Sequence, residues 1–140
     1  MDVISATDVR KNWSETLDLV VHQKPAFVKR TRDYVMMMNL ALFKDILSDR
    51  HFTAKLYTEP DGSITLSACH LDLVVNAKDM TEAKQSLASD ILDYAEDYYQ
   101  HFAIWSNSSN RKSHLVYVLK ALSMSTEEIA EDIVCRDGKN

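Results

Sequence analysis

Residues 2–40 read DVISATDVRKNWSETLDLVVHQKPAFVKRTRDYVMMMNL, and this stretch decides the fold of the N-terminal third. Val3 and Ile4 predict a short strand that ends at Ser5, whose hydroxyl suits the cap of a helix beginning near Ala6 or Thr7. Trp13, Leu17, Val20 and Val21 recur at helical spacing and give that helix an apolar face in search of a partner. His22-Gln23-Lys24-Pro25 ends it, because proline cannot donate inside a helix. Ala26-Phe27-Val28 resumes as a strand closed by the charged Lys29-Arg30-Thr31-Arg32. Tyr34 to Met38 returns as a continuous apolar run, the pattern of a strand covered on both faces. About forty residues hold too little core to bury this surface unaided, so a second copy of the chain is the expected cover.

Working outward, Ala41 to Leu47 predicts a short helix with Leu42, Phe43, Ile46 and Leu47 on one side, and Ser48-Asp49-Arg50 marks a boundary. Phe52, Ala54 and Leu56 alternate with polar neighbours as in a half-buried strand. Glu59-Pro60-Asp61-Gly62 is a strong turn signal: proline presets φ, Asp bonds nearby backbone, and Gly accepts positive φ. Ile64, Leu66 and Ala68 complete a hairpin, and Leu71 to Val75 supplies a third strand. Asp79, with Glu82 three residues on, starts a long amphipathic helix carrying Met80, Ala83, Leu87, Ile91, Ala95, Tyr98 and Phe102. Ser106 to Asn110 reads as a polar linker. Leu115, Val118, Leu119 and Leu122 mark another helix, and Ser125 with Glu128 caps a last one, after which Arg136 to Asn140 is expected to fray. No internal repeat is visible.

The net charge of −5 is unevenly spread. Residues 1–50 carry eight Lys and Arg against seven Asp and Glu, whereas residues 51–105 carry three Lys against nine acidic residues. Such asymmetry hints at a charged partner for each part. No run approaches eighteen apolar residues, which argues against a transmembrane helix. Asp2 and Asp8 stand where a signal peptide would be basic, so a cytoplasmic protein is expected. Two cysteines, Cys69 and Cys135, are too few for a disulfide framework and read as free thiols.

Catalysis has little support in the residues. With only Gly62 and Gly138 there is no glycine-rich phosphate loop. His22, His51, His70, His101 and His114 are scattered singly, without metal-ligand spacing, and read as surface or edge histidines. No cofactor or metal is expected. Asp61, Asp72, Asp90 and Asp93 are the acids a metal-dependent nuclease would need to converge, but Asp90 and Asp93 fall on the exposed side of their helix. LKALSMSTEEIAEDIV looks like the first half of a helix-turn-helix, yet only CRDGKN follows, too short for a recognition helix.

Nucleic-acid chemistry is better served at the front. Arg10 and Asn12 lie opposite the Trp13–Leu17–Val20 stripe, and Lys29, Arg30 and Arg32 end the following strand. Arginine grips phosphate or reads guanine, and asparagine reads adenine. The alternative is that these charges solvate an amphipathic surface.

The opening ISATDVRKN, the helix end at Leu17–Val21, the proline before an apolar strand and the Lys29-Arg30 strand end together resemble the Phd/YefM antitoxins of toxin–antitoxin systems. The resemblance covers roughly residues 2–47. It implies a dimerising N-terminal module that binds operator DNA, with the positions of Arg10 and Arg30 facing the duplex, and a C-terminal part that wraps a toxin and blocks its active site. One departure is the hairpin, which in the family usually carries Gly or Asn and here reads Arg32-Asp33-Tyr34. The DMTEAKQSLASDILDY helix after three strands is similar to the HicB-type partial RNase H-like unit.

The expectation is therefore an α+β chain in two parts. Residues 1–50 form a Phd/YefM-like dimerisation and DNA-binding module of strand, helix and hairpin. Residues 51–140 form a partner-binding module, a small three-stranded sheet with a long helix and two short C-terminal helices. Arg10, Asn12, Lys29, Arg30 and Arg32 are expected on operator DNA, and Val35, Met36, Met37 and Met38 in a homodimer interface. Tyr98, Tyr99, Trp105, Leu115 and Leu119 are expected on a RelE-like or Fic-like toxin, whose basic character would suit the acidic middle section. A stand-alone regulator without a toxin, and a nuclease built on the second part, are the alternatives.

Overall fold

Ser5 closes a strand and opens a helix in one step. β1 (Val3–Ser5) runs directly into α1 (Ala6–Lys11), and the Ser5 hydroxyl oxygen accepts from the Asp8 N–H at 3.1 Å. The computed structural model describes residues 2–138, and the chain falls into two units, Met1–Ser48 and Asp49–Asn140.

In the first unit the expected helix breaks at Asn12, where φ is −119° and ψ is 45°, and resumes as α2 (Trp13–His22). The Asn12 backbone N–H still donates to the Asp8 carbonyl at 2.9 Å and its side-chain amide donates to the same oxygen at 3.1 Å, so the break is a change of dihedral angles and not a lost helical bond. β2 (Ala26–Arg30) pairs parallel with β1 and antiparallel with β3 (Asp33–Met37), giving the order β1-β2-β3. Arg30 stands opposite Asp33, so the hairpin loop is Thr31-Arg32 rather than the expected Arg32-Asp33-Tyr34. A two-residue hairpin needs positive φ, and Thr31 supplies it at 58°. α3 (Leu40–Ile46) is capped by Asn39, whose side-chain oxygen accepts from the Ala41 N–H at 2.8 Å.

Val9, Thr16, Val20, Ala26 and Val28 are buried in this unit. The predicted stripe is only partly correct. Val20 packs inward, but Trp13, Leu17 and Val21 remain 52%, 37% and 51% exposed, and Thr16 takes the inner position. Its hydroxyl donates to the Asn12 carbonyl at 2.9 Å, which satisfies it there. The apolar run after the hairpin begins and ends one residue earlier than expected and is not covered on both faces within the protomer. Met38 lies beyond β3, and α3 buries none of its residues.

The second unit is a sheet of four strands rather than three. β4 (Thr53–Thr58), β5 (Ile64–Ala68) and β6 (Val74–Ala77) are antiparallel neighbours. Gly62 takes φ 87° in the first turn, and its N–H donates to the Glu59 carbonyl at 2.9 Å. The third strand starts later than expected because His70 adopts φ 68° and the Leu73 N–H donates to the Leu71 carbonyl, a three-residue turn that re-aims the chain. Leu71 is left in the core. α4 (Met80–Gln100), capped by Asp79 accepting from the Glu82 N–H at 2.9 Å, crosses β5 and β6. The short α5 (Phe102–Trp105) and a 3₁₀ turn (Lys112–His114) lead to α6 (Leu115–Leu122) and α7 (Thr126–Asp132), both packed on α4.

The fourth strand is β7 (Val134–Asp137), parallel to β4 with Ala54 opposite Cys135, so the order is β6-β5-β4-β7. Arg136 and Asp137 are therefore paired, where fraying was expected; Lys139 and Asn140 lie outside the described residues. The free edge of β4 draws the segment in, and Ile133 and Cys135 turn inward beside it while Val134 faces out. Tyr98, Leu66, Leu87, Ile91, Ile129 and Val118 are the largest fully buried side chains of this core.

Candidate functional site

The parallel pairing of β1 with β2 sets Ser5 opposite Lys29. It therefore places the start of α1 and the end of β2 at one end of the first sheet. Lys29, Arg30 and Arg32 sit at that end, and Arg10 in the last turn of α1; all are exposed. Lys29 Nζ lies 5.6 Å from the Tyr34 ring centroid. Among the described residues, Arg10, Arg30 and Arg32 spend no side-chain N–H on a hydrogen bond or ion pair, so their charge is available to a ligand. Asn12 differs. Its amide donor is engaged on the Asp8 carbonyl, which makes it a helix-ending residue before it is a base reader.

Beside this rim lies uncovered apolar surface. Strand alternation puts Ala26, Val28, Val35 and Met37 on one face of the sheet, the face that α1 and α2 pack against. Val3, Phe27 and Met36 form a cross-strand row on the other face, where Val3 and Met36 are exposed and Phe27 is half-buried. Tyr34, Val35 and Met36 are 56%, 55% and 51% exposed, and Met37 and Met38 are half-buried. Leu40 and Ile46 of α3 add further exposed apolar area.

In the second unit the expected partner-facing residues separate. Tyr98 is fully buried and its hydroxyl donates to the Arg111 carbonyl at 3.0 Å, so it belongs to the core and not to the surface. The period that placed it on the apolar face of α4 is the reason. Tyr99, one residue on, is exposed. Trp105, Leu115 and Leu119 are half-buried; Trp105 and Leu115 pack on the core. His114 is also buried, contrary to the reading of the histidines as surface groups, and its Nδ1 meets the Tyr94 hydroxyl at 2.6 Å.

Asp61 is exposed in the turn, where the Ser63 hydroxyl and N–H donate to it at 2.6 and 2.9 Å and hold its carboxyl below the usual carboxylate range. Asp90 is half-buried and Asp93 exposed. Among the described residues no three His, Cys, Asp or Glu side chains gather to hold a metal ion. Cys69 and Cys135 are free, and burial pushes the Cys135 thiol up. No described helix is long and apolar enough to cross a membrane.

One cluster went unread in the sequence. A cavity of about 270 Å³ is lined by Asp72, Leu73, Tyr94, Asn110, Arg111 and His114. The Arg111 guanidinium lies 3.8 Å from the Trp105 ring centroid and 5.9 Å from that of Tyr94. No spacing in the sequence connects residues 72, 94 and 111; only the fold does. The polar run 106–110, taken for a plain linker, was the sole signal.

With three arginines that make no side-chain hydrogen bond or ion pair among the described residues and an exposed apolar strand in the first unit, and a closed α+β layer in the second, the chain is a small two-part α+β protein. A family model described as PHD_like, antitoxin of toxin-antitoxin, RelE / RelB, TA system, matches residues 1–135, and the chain belongs to that antitoxin family. It is also similar to a crystal structure from Syntrophomonas wolfei subsp. wolfei, described as an antitoxin part of a toxin/antitoxin system. That likeness has a TM-score of 0.92 at 38% identity and covers 98% of this chain and 99% of that one. No curated protein matches the chain.

Proposed function

We propose that this antitoxin represses its own promoter as a homodimer, binding operator DNA through the first unit, and neutralises a cognate toxin by direct contact through the second. The observation that carries the reading is the first unit itself. Its bare apolar strand β3 and its unpaired arginines lie on one small module, so covering the former with a second copy duplicates the latter. A two-fold dimer would then present two copies of Arg10 and Arg30 to a palindromic operator. Val35, Met36, Met37 and Met38 supply the interface in this reading, with Lys29 and Arg32 flanking the DNA-facing pair. Asn12 contributes through the shape of the α1–α2 break.

The toxin, RelE-like or Fic-like, meets the second unit, where residues 51–105 carry nine acidic residues against three Lys. Exposed Tyr99 is the leading anchor, with Trp105, Leu115 and Leu119 contributing from partly buried positions.

The test uses the full chain with its own promoter DNA, light scattering for mass and a mobility shift across salt concentrations. The expected result is a dimer whose Arg30→Ala variant binds more weakly and shows a salt slope smaller by about one per lost phosphate contact. Met36→Asp should yield a folded monomer that no longer shifts the promoter. A wild-type monomer at micromolar concentration, or promoter binding indifferent to both Arg10→Ala and Arg30→Ala, would overturn the repressor part. Pulldown of a basic partner in stoichiometric amount, lost on truncation after Arg50, is the outcome required of the toxin part.

A further inference from the structure

The cavity beneath Asp72 has the makings of a ligand site that the antitoxin reading does not use. Arg111 is its cation. Stacking on Trp105 and against Tyr94 fixes the guanidinium plane, which limits the freedom it would lose on binding. None of its side-chain N–H groups finds a hydrogen bond or ion pair among the described residues, and Nη1 is buried without one. A fixed guanidinium with its donors unspent is a receptor for a carboxylate, which it engages through two parallel bonds. Asp72 is the anion of the same cavity, exposed, and not ion-paired to Arg111.

His114 adds no second cation. It is 6% exposed, bonded to the Tyr94 hydroxyl, and burial holds its pKa below the ordinary value; burial likewise keeps the Tyr94 phenol protonated. Asn110 offers an amide at the rim. The cavity is thus lined by one positive group, held against Trp105, and one negative group. Its volume of about 270 Å³ lies just below the range of drug-sized sites. An inorganic phosphate would meet the Asp72 charge, and a simple amine would meet that of Arg111.

We infer that this cavity binds a small zwitterion, of which a free α-amino acid is the simplest, with Arg111 holding the carboxylate and Asp72 the ammonium group. The site lies wholly in the second unit and does not depend on DNA or toxin binding. Each of the twenty protein amino acids, together with acetate and methylammonium as half-ligands, is titrated against the full chain by calorimetry and ligand-observed NMR. At least one amino acid should bind about tenfold or more tighter than either half-ligand, since both charges are then engaged. Arg111→Gln should abolish that binding. Because this variant disturbs the Trp105 stack, Asp72→Asn at an exposed position is the second arm. It should weaken the amino acid about tenfold while tightening acetate, through loss of one attraction and one repulsion. Absence of binding by every amino acid, a folded Arg111→Gln that binds as before, or an Asp72→Asn that weakens acetate and amino acid alike would each overturn the inference.

Discussion

Lys120 and Asp132 form the buried ion pair of the second unit, and replacing Lys120 by Met tests what holds β7 in place. The Lys120 side chain is 5% exposed and that of Asp132 14%, with Nζ 3.1 Å from Oδ2. Nζ also donates to the Arg50 carbonyl. Asp132 accepts from the Phe52 N–H at 2.9 Å and meets His51 Nδ1 at 2.9 Å, and the Phe52 carbonyl accepts from the Val134 N–H at 2.8 Å. One carboxylate at the end of α7 thus ties α6 to the start of β4 and sets the register in which β7 joins it. Methionine keeps the stem beside the Phe52 ring, 5.4 Å from Nζ, and deletes the ammonium group with its bonds to Asp132 and to the Arg50 carbonyl. Losing one partner of a buried pair costs about 3–5 kcal/mol, because the carboxylate stays largely out of water and keeps only the Phe52 N–H and the His51 ring beside it. For a unit of this size that is a fall in Tm of roughly 10 °C or more. Asp132→Asn in the same background removes the stranded charge, so the double variant should be less destabilised than the sum of the singles by about 1–3 kcal/mol. Trp13 and Trp105 are the two tryptophans, one in each unit, so urea denaturation followed by fluorescence in a Trp13→Phe background reports on the second unit. A cost for Lys120→Met under about 1 kcal/mol, or singles and double additive within about 0.5 kcal/mol, would refute the reasoning.

Two further predictions concern single positions. Thr31→Gly relieves a left-handed residue at φ 58°, a strain of about 1–2 kcal/mol, against a larger chain entropy lost by glycine. The net should be a gain of about 0.5–1 kcal/mol in the first unit, read by Trp13 fluorescence on denaturation; a loss would mean that the turn is held differently. His114 has a folded pKa depressed below 6.5 by burial, so the unfolded chain binds its proton first. Stability from this group is present above 6.5 and declines as pH falls through the folded pKa. His114→Gln should flatten that acid-side slope in thermal melts at graded pH, and an unchanged slope would assign it to other groups.

The elements that were legible in the sequence are those whose signals are local. Ser5, Asp79 and Ser125 each start a helix because a side-chain oxygen and an N–H three residues on meet without help from the rest of the chain. Pro60-Asp61-Gly62 turns for a similar reason. Where local signals compete, the reading fails by a residue or two. Asn12, at φ −119° and ψ 45°, interrupts an otherwise helical apolar period, and Thr31, a poor residue for positive φ, carries the hairpin because strand pairing on both sides imposes the loop. β7 was out of reach for a different reason. Val134 to Asp137 has no turn partner nearby; it becomes a strand only because β4, some eighty residues earlier, has an edge to offer.

The same division separates the two candidate sites. Arg10, Lys29, Arg30 and Arg32 could be named as candidates because they follow one another through a short strand–helix–hairpin, whose parallel register sets Ser5 opposite Lys29. The Arg111 cavity could not, since it draws on β6's approach, on α4 and on the segment before α6, which meet only once the core has closed. Apolar pattern, moreover, states that a residue needs cover and leaves open what supplies it. Val35 and Met36 illustrate the point. Their run predicts burial, yet both are more than half exposed in the protomer. Tyr98, with the same demand on α4, is fully buried by its own chain. The difference is the amount of chain at hand: among the described residues the forty-eight-residue unit buries four apolar side chains, all small or mid-sized, while the larger unit buries sixteen. Apolar surface left over in the smaller unit is then the part of the pattern that its own chain does not answer, and its exposure is what the proposed second copy would cover.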